Sequence, residues 1–413
     1  MTSTMSSVDE AELPELPSAR TPASPFDPPP ELRTFQQEGP LRRVRLWNGE
    51  SAWLVTRYTE QRKLLSDPRF SSDFTRPGYP RQIVSQAPQG QLFVRGQSFI
   101  SMDDPEHSRL RRMVTAPFMI KRVEAMRPGV QRIVDGLIDE MLAGPKPVDL
   151  VEAFALPVPS LVICQLLGVP YTDHDFFQHN TRILITRDTP PEERNEVTGR
   201  MHDYLDHLVG EKLAAPADDL LSQLAVERVR TGELTRKEAA DIARLLLIAG
   251  HETTANMIAL GTLALLRHPD QLALLRDSDD PKLVAGAVEE LLRYLNIAHS
   301  GRRRVATADI EIAGQVIREG EGVIMSNEIA NRDPAEFPDP DRLDIRRDAR
   351  RHVAFGFGIH QCLGQPLARM ELQVVYGTLY RRLPGLRLAT DFDRISFKHD
   401  GFVYGVYELP VTW

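Results

Sequence analysis

Residues 355–365, FGFGIHQCLGQ, place a histidine and one of only two cysteines in a glycine-rich loop that leads into a helical pattern. An isolated cysteine is usually a small buried hydrophobe. Cys164, within PSLVICQLLGV, fits that description, but Cys362 has glycines and polar residues around it. The two cysteines lie too far apart for a zinc motif and indicate no disulfide framework, which is typical of a reducing cytoplasm. The loop around Cys362 therefore indicates chemistry rather than packing.

The composition excludes some classes of protein. The 413 residues are 42% hydrophobic and carry a net charge of −8, which disfavours a general nucleic-acid-binding role. Residues 1–24 are rich in Pro, Ser and Glu and resemble neither a signal peptide nor an anchor, so we expect them to be disordered. The most apolar stretch, 239–266, contains charged residues that a membrane span would carry only at high cost. A protein located in the cytoplasm, with no membrane partner, is expected.

The residue pattern predicts a mainly α fold with small β-sheets. The alternation in 43–55 around Asn48-Gly49 predicts a hairpin. The predicted elements that follow are a short helix over 58–65, a long loop over 70–102, helices from 106 to 294, a small sheet over 309–327 and a proline-rich meander over 331–350.

One long helix is predicted to lie at the centre of the molecule. Thr235 and Glu238 form a capping box, and the pattern that follows is apolar on almost every face as far as Leu266. The segment GHETT, 250–254, interrupts it with a charge and two hydroxyls, which are costly in a core unless they are hydrogen-bonded or used. Thr253 could simply bond back to the carbonyl of Ala249 and kink the helix, and this bond would also open a groove for a small ligand.

A metalloprotease motif begins in the same way, with HE, but it fails here. The second zinc-binding histidine of HExxH would fall at Ala255.

Two further patterns are ambiguous when taken alone. Glu290 and Arg293 are spaced i, i+3 on a helix, which is common for a surface pair. His107 and Arg111 share a helix face at i, i+4, which is typical of a solvated basic face but would also suit the binding of carboxylates.

The order of the motifs resolves the ambiguity. AGHETT at 249–254, ELLR at 290–293, a proline-rich meander and then FGFGIHQCLGQ together resemble the cytochromes P450, specifically the soluble bacterial group. The resemblance covers nearly the whole chain from about residue 25. Within that group, the sequence looks most like the subfamily that hydroxylates vitamin D3, statins, macrolides and other drug-like or secondary-metabolite molecules. It implies a single P450 haem domain over 25–413, with haem between the long central helix and the cysteine loop.

The resemblance assigns roles to individual residues. Cys362 is the expected axial thiolate of the haem iron, with Phe355 as a shield and the glycines at 356, 358 and 364 as a hydrogen-bonding loop. The expected partners of the two haem propionates are His107, Arg111, Arg304 and His360.

The resemblance also gives the GHETT segment a use. Ala249 and Gly250 are expected to leave room for dioxygen, and Thr253 and Glu252 are expected to deliver protons to it. Glu290, Arg293 and Arg342 match a buried network that serves folding and haem retention rather than chemistry.

The expected reaction is hydroxylation by a haem-thiolate monooxygenase, with haem b and dioxygen. No nucleotide-binding motif for flavin or nicotinamide is present, so electrons should come from NAD(P)H through a ferredoxin reductase and a ferredoxin. The ferredoxin is expected to dock on basic residues near the cysteine loop, with Arg112, Lys121 and Arg122 as contacts. A monomer with no nucleic-acid partner is expected.

Substrate identity is not encoded in any motif. The pocket residues expected from the resemblance are mostly apolar, which favours a sizeable hydrophobic substrate. These residues are Phe93, Ile100, Leu246, Ala249, Ile297 and Val403. Arg76 and Arg81 could bind a substrate carboxylate, although a solvent-facing role is favoured.

Two alternative functions remain open. A peroxygenase would use hydrogen peroxide directly, but such relatives lack the acid-alcohol pair that Glu252 and Thr253 form here. A non-catalytic haem-thiolate sensor or carrier would leave an intact proton relay without a purpose.

Overall fold

The computed structural model describes residues 13–17, 19–81, 98–186, 188–299 and 301–413. The helices are α1 Pro30–Glu38, α2 Tyr58–Ser66, α3 Glu106–Thr115, α4 Ile120–Ala143, α5 Pro157–Leu167, α6 His174–Ile185, α7 Pro191–Ala214, α8 Leu220–Leu224, α9 Arg236–Arg267, α10 Pro269–Arg276, α11 Pro281–Leu295, α12 Asn327–Ala330 and α13 Gln365–Arg382. The strands are β1 Leu41–Arg45, β2 Ser51–Val55, β3 Phe70–Ser71, β4 Val148–Asp149, β5 Arg302–Ala306, β6 Ile310–Ile312, β7 Gln315–Ile317, β8 Gly322–Met325, β9 Arg387–Leu388 and β10 Pro410–Thr412. The predicted fold class, mainly α with small sheets, is confirmed.

The long central helix is α9. The Thr235 side chain accepts from the Glu238 amide and the Glu238 side chain accepts from the Thr235 amide, so the predicted capping box is formed. The helix packs against α5, α7, α11 and α13, which explains why apolar residues occupy nearly all of its faces. No helix within the described ranges is both long and apolar enough to cross a membrane.

The largest sheet joins distant segments in the order β1-β2-β8-β5-β3. The predicted hairpin is confirmed as the antiparallel pair β1–β2, with Gly49 at a φ of 83° in the turn. Strand β5 pairs antiparallel with β8, with Arg302 opposite Met325. This pairing fixes the side of the sheet on which the arginines of β5 lie.

The N-terminal residues that the structure describes contact the rest of the chain. The Leu16 amide donates to the Arg45 carbonyl at 2.9 Å, and Arg20 is buried in an ion pair with Glu328 at 2.9 Å. The expectation of disorder over 1–24 is therefore wrong for these described residues. A composition rich in Pro and Ser did not reveal that Arg20 has a buried carboxylate partner 308 positions away.

Candidate active site

The middle of α9 carries the predicted acid-alcohol pair. The Thr253 hydroxyl donates to the Ala249 carbonyl at 2.8 Å, so the predicted back-bond is present. Ala249 is exposed although most of the helix is buried, and Thr253 beside it is part-buried. This turn therefore presents a small side chain and a hydroxyl to an open space, as a ligand would require.

Glu252 is buried on another side of the same turn. Its Oε1 lies 3.7 Å from Nε2 of His251, and its Oε2 lies 3.4 Å from Nδ2 of Asn256. His251 in turn hydrogen-bonds through Nδ1 to the Leu247 carbonyl at 2.7 Å. The carboxylate is thus held by polar side chains of its own helix.

Gly250 serves a packing role that the sequence did not indicate. A Cβ at this position would lie 2.7 and 2.8 Å from Cγ1 and Cδ1 of Ile163 on α5. The glycine lets α5 approach α9 closely, while the open side of the turn is formed by Ala249. The prediction that Gly250 leaves room for dioxygen remains untested.

The cysteine loop is closed by its own backbone. The Cys362 amide donates to the Phe355 carbonyl at 2.9 Å, and Gly356 and Gly358 adopt φ values of 73° and 74°. These left-handed conformations favour glycine. The Gly364 amide at the start of α13 donates a hydrogen bond to the Cys362 sulfur. Of the three glycines that we expected near the sulfur, Gly364 is the one with a backbone bond to it.

Phe355 packs beneath a charged side chain. The Arg369 guanidinium lies 4.5 Å from the centroid of its ring. The role expected of Phe355, to shield the Cys362 thiolate when haem is bound, stays a prediction.

Charges around Cys362 oppose the effect of its burial. Burial raises the pKa of the Cys362 thiol, while Arg302, the Gly364 amide, Arg111 and Arg369 act to lower it. A coordinated metal ion deprotonates a thiol outright. The site thus favours a thiolate on coordination to a metal.

The four predicted propionate partners come together. The rings of His107 and His360 have centroids 4.1 Å apart, and the charges of Arg111 and Arg304 both act on His360. Burial, followed by repulsion from Arg304, His107 and Arg111, lowers the pKa of His360 to about 3. His360 is therefore a neutral hydrogen-bonding partner at physiological pH, and it shares a 2.8 Å hydrogen bond with Ser72.

Two of these four residues, Arg111 and Arg304, have no carboxylate partner among the described residues, whereas Nδ1 of His107 lies 3.3 Å from Oδ1 of Asp104. Within the described residues, neither Arg111 nor Arg304 forms an ion pair, and each instead donates to a backbone carbonyl, that of Gln361 or Arg303. Burial lowers the pKa of both arginines. Nε2 of His107 is buried without a hydrogen-bond partner in the described residues. Buried cations are costly unless paired, so this donor set fits a group that brings carboxylates, as haem does.

The buried network contains a different third residue from the one predicted. Arg293 binds Glu290 through two hydrogen bonds, at 2.7 and 2.9 Å, and neither side chain is exposed. The Arg347 Nε, at 3.2 Å, is the second guanidinium on Glu290, whereas the Arg342 side chain is 68% exposed. The prediction of Arg342 is wrong because its backbone carbonyl, rather than its side chain, faces the network.

Two neighbours of the site were missed by sequence reasoning. Glu289, adjacent to the predicted Glu290, pairs with Arg369 at 2.6 Å and with His352 at 3.1 Å. Arg302 lies close enough to Cys362 to be the largest cationic influence on its thiol. The sequence shows three consecutive arginines at 302–304, but only the register of their strand distinguishes Arg302, which lies near Cys362, from its neighbours.

The predicted pocket residues are placed as follows. Leu246 is buried, and Ile297 and Val403 are brought together because the Tyr404 amide donates to the Ile297 carbonyl at 2.9 Å. Ile100 is 57% exposed. Phe93 lies outside the described residues. Their contact with a substrate stays a prediction.

The basic residues predicted for docking and for substrate binding differ in exposure. Arg112, Lys121 and Arg122 are exposed at the end of α3 and the start of α4. Arg76 is exposed with its Nε 3.8 Å from Asp103, and Arg81 is part-buried.

Comparisons with known proteins agree on one family. The family model described as Cytochrome P450 matches residues 79–384. The chain is 57% identical to Cytochrome P450 GfsF of Streptomyces halstedii, with 98% of each chain covered. It is 46% identical to Vitamin D3 dihydroxylase of Streptomyces griseolus over the full length of both. The crystal structure of mycinamicin VIII C21 methyl hydroxylase MycCI from Micromonospora griseorubida matches with a TM-score of 0.87 and 42% identity, covering 97% of this chain and 98% of that one.

Proposed function

We propose that this protein hydroxylates a C–H bond of a sizeable hydrophobic secondary metabolite. The proposal starts from the family: the chain belongs to the cytochrome P450 family and is a monooxygenase. The observation that carries this proposal is the turn of α9 where exposed Ala249 lies beside the Thr253 hydroxyl and buried Glu252. An acid and an alcohol beside an open space suit the delivery of protons to a reacting ligand. The substrate class is supported by relatives named as a vitamin D3 dihydroxylase and a mycinamicin VIII C21 methyl hydroxylase.

The chain's residues would hold haem b at two points. Cys362 supplies the thiolate ligand, and Arg111, Arg304, His107 and His360 bind the two carboxylates. Haem, when bound, supplies the activation of dioxygen. These side chains would orient the haem through charge-assisted hydrogen bonds.

The proton route uses α9. Thr253 holds a proton on Oγ1 that it now donates to the Ala249 carbonyl, so a small rotation about its side chain can redirect that proton into the open space. Glu252 directly precedes Thr253 in the same turn and can replace the proton through water. The intact pair favours monooxygenase chemistry over direct use of peroxide.

Electrons would come from NAD(P)H through a ferredoxin reductase and a ferredoxin. The exposed cations Arg112, Lys121 and Arg122 support this route, since they form a basic surface that suits an acidic partner. No flavin or nicotinamide is proposed as a bound cofactor. Location in the cytoplasm, the monomeric state and a single haem domain over 25–413 also stay predictions.

The experiment combines two measurements on the holoprotein. The reduced, carbon-monoxide-treated protein should show the red-shifted Soret band of thiolate haem, and its absence would end the proposal. Lipophilic compounds that give a type I spectral shift should then be hydroxylated with NAD(P)H, ferredoxin reductase and ferredoxin. Product formed with hydrogen peroxide alone, and none with the electron carriers, would instead indicate a peroxygenase.

A further inference from the structure

Strand β5 presents two arginines on one face. Side chains alternate along a strand, so Arg302 and Arg304 lie on the same side and Arg303 on the other. Arg303 donates to the carbonyls of Pro80 and Arg81, at 3.0 and 2.9 Å. Arg302 instead reaches the cysteine loop, where its Nη2 lies 3.3 Å from the Ala354 carbonyl.

Gly356 makes room for this guanidinium. A Cβ on Gly356 would lie 2.8 Å from Nε and 3.0 Å from Cζ of Arg302, so a larger residue would displace the arginine. The Arg302 Nε is buried and has no hydrogen-bond partner among the described residues. A buried N–H donor without a partner favours a bound group that accepts its hydrogen bond.

The charges near Arg302 do not balance within the protein. Arg304 repels the Arg302 guanidinium, whereas Cys362 attracts it. Among the described residues, Arg302 donates to the Ala354 carbonyl and forms no ion pair with a carboxylate. It remains charged at physiological pH, and a buried charge without a counter-ion is costly.

Arg302 is surplus to the residues assigned to haem. The proposed function already assigns Arg111, Arg304, His107 and His360 to the two haem carboxylates. We infer that Arg302 binds a carboxylate in the haem cavity, contributed either by haem itself or by an acidic substituent of the substrate. A guanidinium matches a carboxylate with two parallel hydrogen bonds, which a lysine cannot reproduce. This inference rests on the proposed function, because it requires haem to be bound.

The test compares holoproteins carrying Arg302→Gln and Arg302→Lys. Arg318→Gln is the matched control, since Arg318 is 64% exposed and pairs only with exposed Asp309 among the described residues. The first measurement is the rate of haem transfer to apomyoglobin without substrate. The second is the ratio of type I binding affinities for dodecanoic acid and its methyl ester.

Two results support the inference and separate the source of the carboxylate. If haem supplies it, Arg302→Gln should lose haem about tenfold faster, Arg302→Lys less so, and the acid-to-ester ratio should be unchanged. If the substrate supplies it, the ratio should fall about tenfold in Arg302→Gln while haem transfer stays as in the wild type.

Two results would overturn it. In one, both measurements for Arg302→Gln stay within about twofold of the wild type and the control. In the other, the glutamine and lysine variants lose haem equally fast and both unfold at lower urea than the wild type, which would show a purely structural role. Failure of the proposed function is distinguishable, because the wild type itself would then lack the thiolate Soret band.

Discussion

Arg369 on α13 donates hydrogen bonds from Nε and Nη2 to the two carboxylate oxygens of Glu289 on α11, at 2.6 and 3.0 Å. The same carboxylate lies 3.1 Å from Nε2 of His352, which precedes the cysteine loop. Arg369 also lies over the ring of Phe355, so one buried carboxylate connects two helices and the loop that carries Cys362. The pair is therefore a structural support for the candidate thiolate ligand.

Low pH should weaken the ion pairs of Glu289 and so lower the free energy of unfolding. Burial alone would raise the pKa of Glu289, but His352 and Arg369 lower it from 4.5 to about 2. A depressed carboxyl pKa contributes stability above about pH 4.5 that is lost as the pH falls toward 2, here about 3 kcal/mol. Urea unfolding of wild type and Glu289→Gln should differ most at neutral pH, and the difference should shrink below pH 4.5. A constant difference would contradict the ionic role.

Glu371 should have the opposite pH dependence. Burial raises its pKa to about 8, and its Oε2 has no hydrogen-bond partner in the described part of the chain. The folded state then holds a proton that the unfolded state releases above about pH 4.5, so stability falls as the pH rises toward 8. Glu371→Gln should remove that loss and unfold at higher urea than the wild type at pH 8. Equal midpoints at pH 8 would show that the carboxyl is not protonated in the folded state.

Arg347 should matter for stability where Arg342 does not. Arg347 binds Glu290 through Nε and also donates to the carbonyls of Pro338, Asp339 and Arg342. Its loss leaves a buried carboxylate short of a charged partner, so Arg347→Gln should cost about 1–3 kcal/mol of unfolding free energy. Exposed Arg342→Gln is the control and should stay within about 0.5 kcal/mol. A larger loss of unfolding free energy in Arg342→Gln than in Arg347→Gln would instead support Arg342 as the third residue of the network.

Gly250 should tolerate alanine only if its neighbour becomes smaller. The new methyl group meets Ile163, and overpacking of a core typically costs about 1–3 kcal/mol. Gly250→Ala should therefore lower the urea midpoint, and adding Ile163→Val, which removes Cδ1, should recover part of the loss. If the double variant shows additive losses, the clash between these two residues is not the cause.

Thr253 should govern how efficiently electrons yield product. Thr253→Ala removes the hydroxyl that faces the open space, so coupled product formation with ferredoxin should fall about tenfold, with more hydrogen peroxide released. Thr253→Ser keeps the hydroxyl and should retain most of the coupling. Substrate affinity, measured by the type I shift, serves as the control. Unchanged coupling in Thr253→Ala would remove the proton-delivery role.

Local spacing explains why the sequence alone determined much of this protein. The capping box of Thr235 and Glu238, the back-bond from Thr253 to Ala249 and the pair Glu290–Arg293 each join residues within one helical turn, so helix geometry places them without any tertiary information.

Contacts between distant segments were decided only by the tertiary structure. Arg347 rather than Arg342 on Glu290, Ile163 against Gly250, and Arg302 against Gly356 each join residues more than 50 positions apart. Helix packing and strand register set these contacts, and neither can be read from spacing along the chain. The sequence by itself therefore determined the fold class and the candidate ligand, Cys362. Which cations surround that ligand followed from how β5 and the cysteine loop meet in space.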